Sequence, residues 1–178
     1  MEKILRDQME NPCFPVPFDT FTKNFTWHNV VPGEKFMIDD VEICSCPMSH
    51  PGGSYSFSFT HNGKKVVYAT DVELKIDDYV VTDASRAVFK DADLIILDAQ
   101  YTVEEAFRKE GWGHSSFCYA IDFAAFWNIK KLYLFHHEPT YDDKKLHSII
   151  QSARWYAQYI EHTNVEIYIA KESKEIEL

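Results

Sequence analysis

The sequence has 178 residues, which suits one domain and permits a sizeable buried core. Hydrophobic residues make up 46% and charged residues 26%, and both fractions are ordinary for a globular protein. The formal net charge of −10 argues against an extensive nucleic-acid-binding surface, because such a surface needs clustered lysine and arginine.

The N-terminal segment, residues 1–24, is predicted to be irregular. Its first twelve residues (MEKILRDQMENP) indicate a short polar helix and are too charged for a signal peptide. The prolines of NPCFPVPF exclude regular helix or central strand. No apolar run is long enough to span a membrane, and the four cysteines form no CxxC pair. We therefore expect a cytoplasmic protein with no membrane partner.

A β-hairpin is the clearest local prediction. Residues 41–47 are a first candidate strand, and residues 54–60 (SYSFSFT) alternate so that three aromatic rings share one face and the serines the other. Asn62-Gly63 is a strong hairpin signal, because both turn residues need positive φ. Residues 65–70 (KVVYAT) then return as the partner strand.

The remainder of the chain alternates strands with helices. Residues 94–97 (LIIL) are a continuous apolar run, typical of a strand covered on both faces. Residues 115–128 and 142–161 carry apolar side chains at helical spacing. Residues 131–135 and 165–170 are further short strand candidates. Strands followed by alternating strand and helix predict a layered α/β protein.

Polar residues with metal-binding chemistry follow the predicted strands. His50, Asp71, Asp98 and His136 each stand at or just after the end of a strand, and His114 lies in the loop GWGHSS before a helix. Strand ends are where layered α/β folds place their sites. Three histidines and two aspartates in such positions would suit zinc, which binds imidazole nitrogen and carboxylate oxygen.

Each candidate also has a purely structural alternative. His50 and Asp71 could be turn residues, and Asp98 could accept a hydrogen bond from a neighbouring backbone N–H. The sequence assigns the remaining histidines to solvated or turn positions: His28, His61, His137, His147 and His162. A two-metal hydrolase needs about six or seven protein ligands, and the sequence offers about half that number.

Five segments, in this order, resemble hydrolases of the metallo-β-lactamase fold. They are HPGGSY (50–55), KKVVYATDVE (64–73), ADLIILDAQYT (92–102), GWGHSS (111–116) and KKLYLFHHEP (130–139) with Asp142-Asp143 after it. Within that superfamily the chain is similar to bacterial phosphodiesterase-like members, relatives of the tRNA 3′-processing endoribonuclease. The resemblance runs from about Phe14 to Asp143.

The resemblance implies an α/β fold that is half, or a truncated form, of the αββα sandwich, with a mixed β-sheet and flanking helices in a single domain, residues 1–178. The family's His-x-His-x-Asp-His motif, which normally lies upstream of the HPGG segment, does not occur in the sequence. The chain is therefore expected to correspond to the C-terminal half, with an incomplete two-metal site for zinc, manganese or iron.

Three metal ligands are implied by the resemblance. His50 matches the histidine of the family's third motif, and Asp71 in Ala-Thr-Asp matches the aspartate that bridges two metals. His136 resembles the final histidine ligand, with His137 beside it as a competitor.

The resemblance also implies two catalytic residues. Asp98 in DAQYT resembles the acidic position of the His-Glu-Ala-Thr segment, and His114 resembles the histidine of Gly-His-Ser-Thr. In those enzymes the acidic residue orients the histidine, which assists proton transfer at the scissile phosphate.

Two functions remain open from the sequence. One is a metal-dependent hydrolase, preferably of phosphodiesters, that needs a first half supplied elsewhere. The other is a catalytically inactive remnant or binding module of the same fold. The expected substrate is a small molecule or a phosphodiester. Because half a sandwich exposes a sheet face or edge, we expect a homo-oligomer or pairing with the missing N-terminal half.

Overall fold

The computed structural model describes residues 2–160 and 164–178. The chain divides into two compact units, Met1–Val30 and Val31–Leu178. The predicted helix over residues 142–161 and the assignment of His162 to solvent both reach residues outside the described ranges.

The N-terminal unit contains two short helices, α1 at Glu2–Gln8 and α2 at Phe18–Thr22. Helix α1 confirms the predicted short polar helix. Arg6 on α1 forms ion pairs with Glu2 at 3.1 Å and with Asp19 on α2 at 2.9 Å. Helix α2 was not predicted, because five residues are too few to show a helical period.

The larger unit is built on one β-sheet, to which the described residues contribute seven strands in the order β1 to β7. The strands are β1 at Phe36–Ile38, β2 at Val41–Met48, β3 at Ser54–His61, β4 at Lys64–Ala69, β5 at Leu94–Asp98, β6 at Lys131–Phe135 and β7 at Glu166–Ile169. Strands β1 to β4 pair antiparallel, and β4 to β7 pair parallel. The predicted mixed sheet is confirmed.

Helices follow several of these strands. They are a 3₁₀ helix at Ile76–Tyr79, α3 at Asp83–Phe89, α4 at Val103–Arg108, α5 at Phe117–Phe126 and α6 at Asp143–Ala157. The predicted helices over 115–128 and 142–161 are confirmed as α5 and α6. Each starts later, after the N-cap residues Ser116 and Asp142, and ends earlier, before the C-cap residues Trp127 and Gln158. None of the helices within residues 2–160 and 164–178 has the length and apolar character to cross a membrane.

The hairpin of β3 and β4 forms as predicted, with Asn62 at φ 48° and Gly63 at φ 74°. The alternation along β3 also forms, but the serines occupy the buried face: Ser56 and Ser58 are 0% and 3% exposed. They pair with Cys46 and Cys44 of β2, on which α3 packs. Small side chains on both strands allow the helix to approach closely.

The opposite face of the sheet is rich in exposed aromatic rings. Tyr55 of β3 is 51% exposed, and Tyr68 of β4 is 41% exposed. Other aromatic rings lie in the helix-covered core, where Phe89 and Phe123 meet edge to face at 4.9 Å.

The strand directions place several chain segments at one edge of the sheet. Strand β2 runs in the same direction as β4, because both are antiparallel to β3. Strands β4, β5 and β6 are mutually parallel. The carboxyl ends of these four strands therefore share one edge, which positions the residues that follow them.

Candidate metal and proton-transfer site

Three of the predicted site residues lie at the carboxyl ends of parallel strands. Asp98 is the last residue of β5, His136 follows β6 directly, and Asp71 comes two residues after β4. Asp71 and His136 adopt φ of 57° and 58°, a left-handed conformation that is uncommon outside glycine. Such conformations cluster at functional sites, where the surrounding structure holds them in place.

All five predicted site residues come together. Ligand atoms of His50, Asp71 and His114 lie within 4.8 Å of one another, and the same holds for Asp98, His114 and His136. The two groups share His114 and are joined by a 3.6 Å approach of His136 Nε2 to Asp71 Oδ1. The rings of His114 and His136 stack with their centroids 4.8 Å apart.

His137 is placed differently from His136. Its ring contributes to neither group of potential ligand atoms among the described residues. Burial lowers the pKa of His137, so the neutral imidazole is favoured there. The geometry therefore favours His136 over His137 as the ligand.

His114 and Asp98 form a hydrogen-bonded pair in which Nδ1 of the imidazole lies 2.8 Å from the Asp98 carboxylate. Asp98 is 0% exposed and also accepts hydrogen bonds from the backbone N–H groups of Val72 and Ser115. Burial raises the pKa of Asp98, and the bonds from His114 and Ser115 oppose that rise. Because an ionised carboxylate can only accept a hydrogen bond, Nδ1 of His114 carries the proton of the pair. The Nε2 atom of the ring is then available to other groups in the site.

One residue of this region was missed by sequence reasoning. Glu73 lies within the KKVVYATDVE segment and was given no role, yet its side chain is buried. Its oxygens accept hydrogen bonds from the backbone N–H groups of Gly111 at 2.8 Å and Gly113 at 2.9 Å. Contacts 38 and 40 residues apart in sequence leave no local signal that could have found them.

A cavity of about 670 Å³ opens beside His114. Its apolar walls include Ile76 and Phe107, which are 87% and 79% exposed, and Tyr119 of α5. A volume of this size can hold a small organic molecule, and His114 stands at its edge.

Comparison with known families identifies the chain. The family described as "Beta-lactamase superfamily domain" matches residues 5–137. The chain belongs to the β-lactamase superfamily. Comparison with curated protein sequences finds no match.

Solved structures similar to this β-lactamase superfamily chain show the metallo-β-lactamase fold. The metallo-β-lactamase fold protein YhfI from Bacillus subtilis is 18% identical, with a TM-score of 0.64 over 86% of this chain and 58% of that chain. The short form of human tRNase Z is 20% identical, with a TM-score of 0.52 over 76% and 42%. Zn²⁺-bound PqqB from Methylobacterium extorquens is 12% identical, with a TM-score of 0.53 over 84% and 55%.

The match to the family confirms the predicted family, and these likenesses confirm the predicted fold. The chain spans about half the length of the structures it matches. That the chain corresponds to the C-terminal half of the sandwich stays a prediction.

The donor atoms at the site fit a metal ion. Beside the His114–Asp98 pair, the site offers imidazole nitrogen from His50 and His136 and carboxylate oxygen from Asp71, which is the donor chemistry that zinc accepts. Three protein ligands with room for another are typical of catalytic zinc sites, whereas structural sites are closed by four.

Proposed function

We propose that this chain is a metal-dependent hydrolase that cleaves phosphodiesters. The observation that supports the proposal most strongly is the His114–Asp98 pair, hydrogen-bonded at 2.8 Å directly beside the candidate metal ligands. An imidazole oriented by a buried carboxylate is the arrangement of general acid–base catalysis.

His50, Asp71 and His136 would hold the metal, for which zinc, manganese and iron are the candidates. When bound, the metal would supply Lewis-acid polarisation of a phosphoryl oxygen. Asp71 lies near both imidazoles, since His136 Nε2 is 3.6 Å from its carboxylate and a ligand atom of His50 lies within 4.8 Å.

Water would add to phosphorus as the bond to the leaving oxygen breaks. The charged His114 ring would give its Nε2 proton to that oxygen, and the proton released by the water would pass to solvent. Asp98 would keep the proton of the imidazole on Nδ1 and stabilise the charged ring. The backbone donors to Asp98 hold the carboxylate in the direction of the imidazole, so the pair is pre-organised before substrate binds.

The substrate would be a small phosphodiester. The net charge of −10 opposes a long polyanion, and Glu73, Asp77 and Glu110 add negative charge around the cavity beside His114. The apolar walls at Ile76 and Phe107 would contact an uncharged part of the substrate.

A second candidate, a binding module without turnover, is favoured by the small number of ligands. Each group offers three donors, and no His-x-His-x-Asp-His motif occurs in the sequence.

We propose that the chain pairs with a second copy or with a segment that supplies this motif, through the aromatic sheet face at Tyr55 and Tyr68.

The test is hydrolysis of bis(p-nitrophenyl) phosphate with zinc or manganese, alone and with a chain supplying the motif. We expect His114→Ala and Asp98→Asn each to lower the rate about 100-fold or more. His147→Ala, on the exposed side of α6, is the control and should match the unsubstituted protein. Metal binding without turnover under either condition would favour the binding module.

A further inference from the structure

Glu73 contacts two of the segments that bear residues of the candidate site. Its side chain, 8% exposed, accepts hydrogen bonds from the backbone N–H groups of Gly111 and Gly113 at 2.8 and 2.9 Å, one on each oxygen. Its own backbone N–H donates to the carbonyl of Ser49 at 2.9 Å, one residue before His50. A single residue therefore links the segment that bears His50 to the loop that bears His114.

We propose that Glu73 is a positioning residue that holds the loop 111–114 and thereby orients both His50 and His114. The loop needs such a partner because Gly111 and Gly113, at φ 84° and 94°, give its backbone wide conformational freedom. The catalytic meaning of this role rests on the proposed function, whereas the structural role does not.

The link from the loop to His50 is direct packing. A Cβ atom built on Gly113 would lie 2.4 Å from Cδ2 and 2.5 Å from Nε2 of the His50 ring. The glycine backbone therefore lies directly against this imidazole, and a shift of the loop changes the surface on which the ring rests.

The link from the loop to His114 is covalent, because Gly113 precedes it. Beyond His114, the Ser115 hydroxyl donates to the carbonyl of Val72 at 2.6 Å and accepts from the N–H of Leu74 at 2.9 Å. Glu73 thus holds the loop on one side of His114, and Ser115 holds it on the other.

The ionised form of Glu73 is the one that can do this. The Lys75 ammonium lies 3.3 Å from the Glu73 carboxylate and places an opposite charge beside it. A carboxylate accepts at both oxygens, whereas a glutamine amide would present an N–H group to one of the two loop donors.

The experiment compares Glu73→Gln with Glu104→Gln, which removes an exposed carboxylate of α4 that does not line the cavity. Amide hydrogen exchange of Gly111 and Gly113 and the ¹H–¹⁵N signals of the His50 and His114 rings are measured on the metal-free chain, followed by zinc affinity. We expect Glu73→Gln to speed exchange at both glycines about tenfold or more, to shift both imidazole signals, and to weaken zinc binding about tenfold. Glu104→Gln should match the unsubstituted protein in all three measurements.

Unchanged exchange and unchanged imidazole signals in Glu73→Gln would overturn the proposal. Should that variant not fold, Glu73→Asp keeps the charge but shortens the reach by one methylene, and the same changes are expected of it. If the unsubstituted chain binds no zinc, the proposed function fails, while the two metal-free measurements still decide the role of Glu73.

Discussion

Replacing Gly113 with alanine should displace His50 and weaken metal binding. The added Cβ would lie 2.4 Å from the His50 ring, where ordinary contact begins at 3.4 Å, and 3.1 Å from Cδ of Pro51. The ring must therefore move by about 1 Å, which exceeds the roughly 0.2 Å tolerance of metal–ligand distances. We expect zinc affinity to fall about 10- to 100-fold.

Gly111 provides a matched control. It also has positive φ, at 84°, and also donates to Glu73, but a Cβ at this position meets no atom within 4 Å. Alanine at either position carries a similar backbone cost, about 1–2 kcal/mol, and Gly113→Ala adds the contact with His50 and Pro51, so it should lose more stability to denaturant. Only Gly113→Ala should lose zinc affinity by calorimetry. Equal zinc affinities in the two variants would refute the contact between the loop and His50.

Three further predictions concern strain, pH and assembly. His136→Gly should be about 1 kcal/mol more stable to denaturant than His136→Ala, because glycine tolerates φ of 58°. Equal stability of the two variants would show that the backbone at residue 136 is not strained. Burial raises the pKa of Glu105, but bonds from Thr102 and Tyr141 lower it more, to about 2, below its ordinary 4.5. The ionised Glu105 side chain therefore stabilises the fold above about pH 4.5, and this contribution is lost as the pH falls towards 2. Glu105→Gln should make the free energy of unfolding less dependent on pH in this window. The same pH dependence in the variant and the unsubstituted protein would contradict this prediction. In sedimentation at micromolar concentration the chain should self-associate, and Tyr68→Lys on the aromatic sheet face should weaken this association. A monodisperse monomer would argue against pairing through that face.

Strands β2 to β7 and the long helices could be predicted because periodicity is a local property, whereas the three residues of β1 were missed. The hairpin at Asn62-Gly63, the apolar run that became β5 and the amphipathic helix α6 all show their pattern within a few residues. Helices α3 and α4 were missed, since six or seven residues barely complete two turns. Their capping boxes, at Thr82 with Ser85 and Thr102 with Glu105, were the available signals.

The candidate site residues could be predicted, but the residues that hold them in position could not. His50, Asp71 and His136 could be placed because parallel strands bring their carboxyl ends together, and the resemblance supplied their order. The role of Glu73 could not be predicted, since it depends on backbone donors about forty residues away. The serine face of β3 is buried, and the face with the aromatic rings is not, because α3 packs on the serine side of the sheet. The sequence pattern of the strand does not show which face a helix will cover.

The central claim is that His50, Asp71 and His136 bind one metal. Zinc content after reconstitution and desalting, measured by elemental analysis, tests it most directly. We predict about one zinc per chain, retained by His147→Ala and lost by His50→Ala and Asp71→Ala. A chain that retains no metal, or one whose zinc survives both substitutions at the site, would contradict the account.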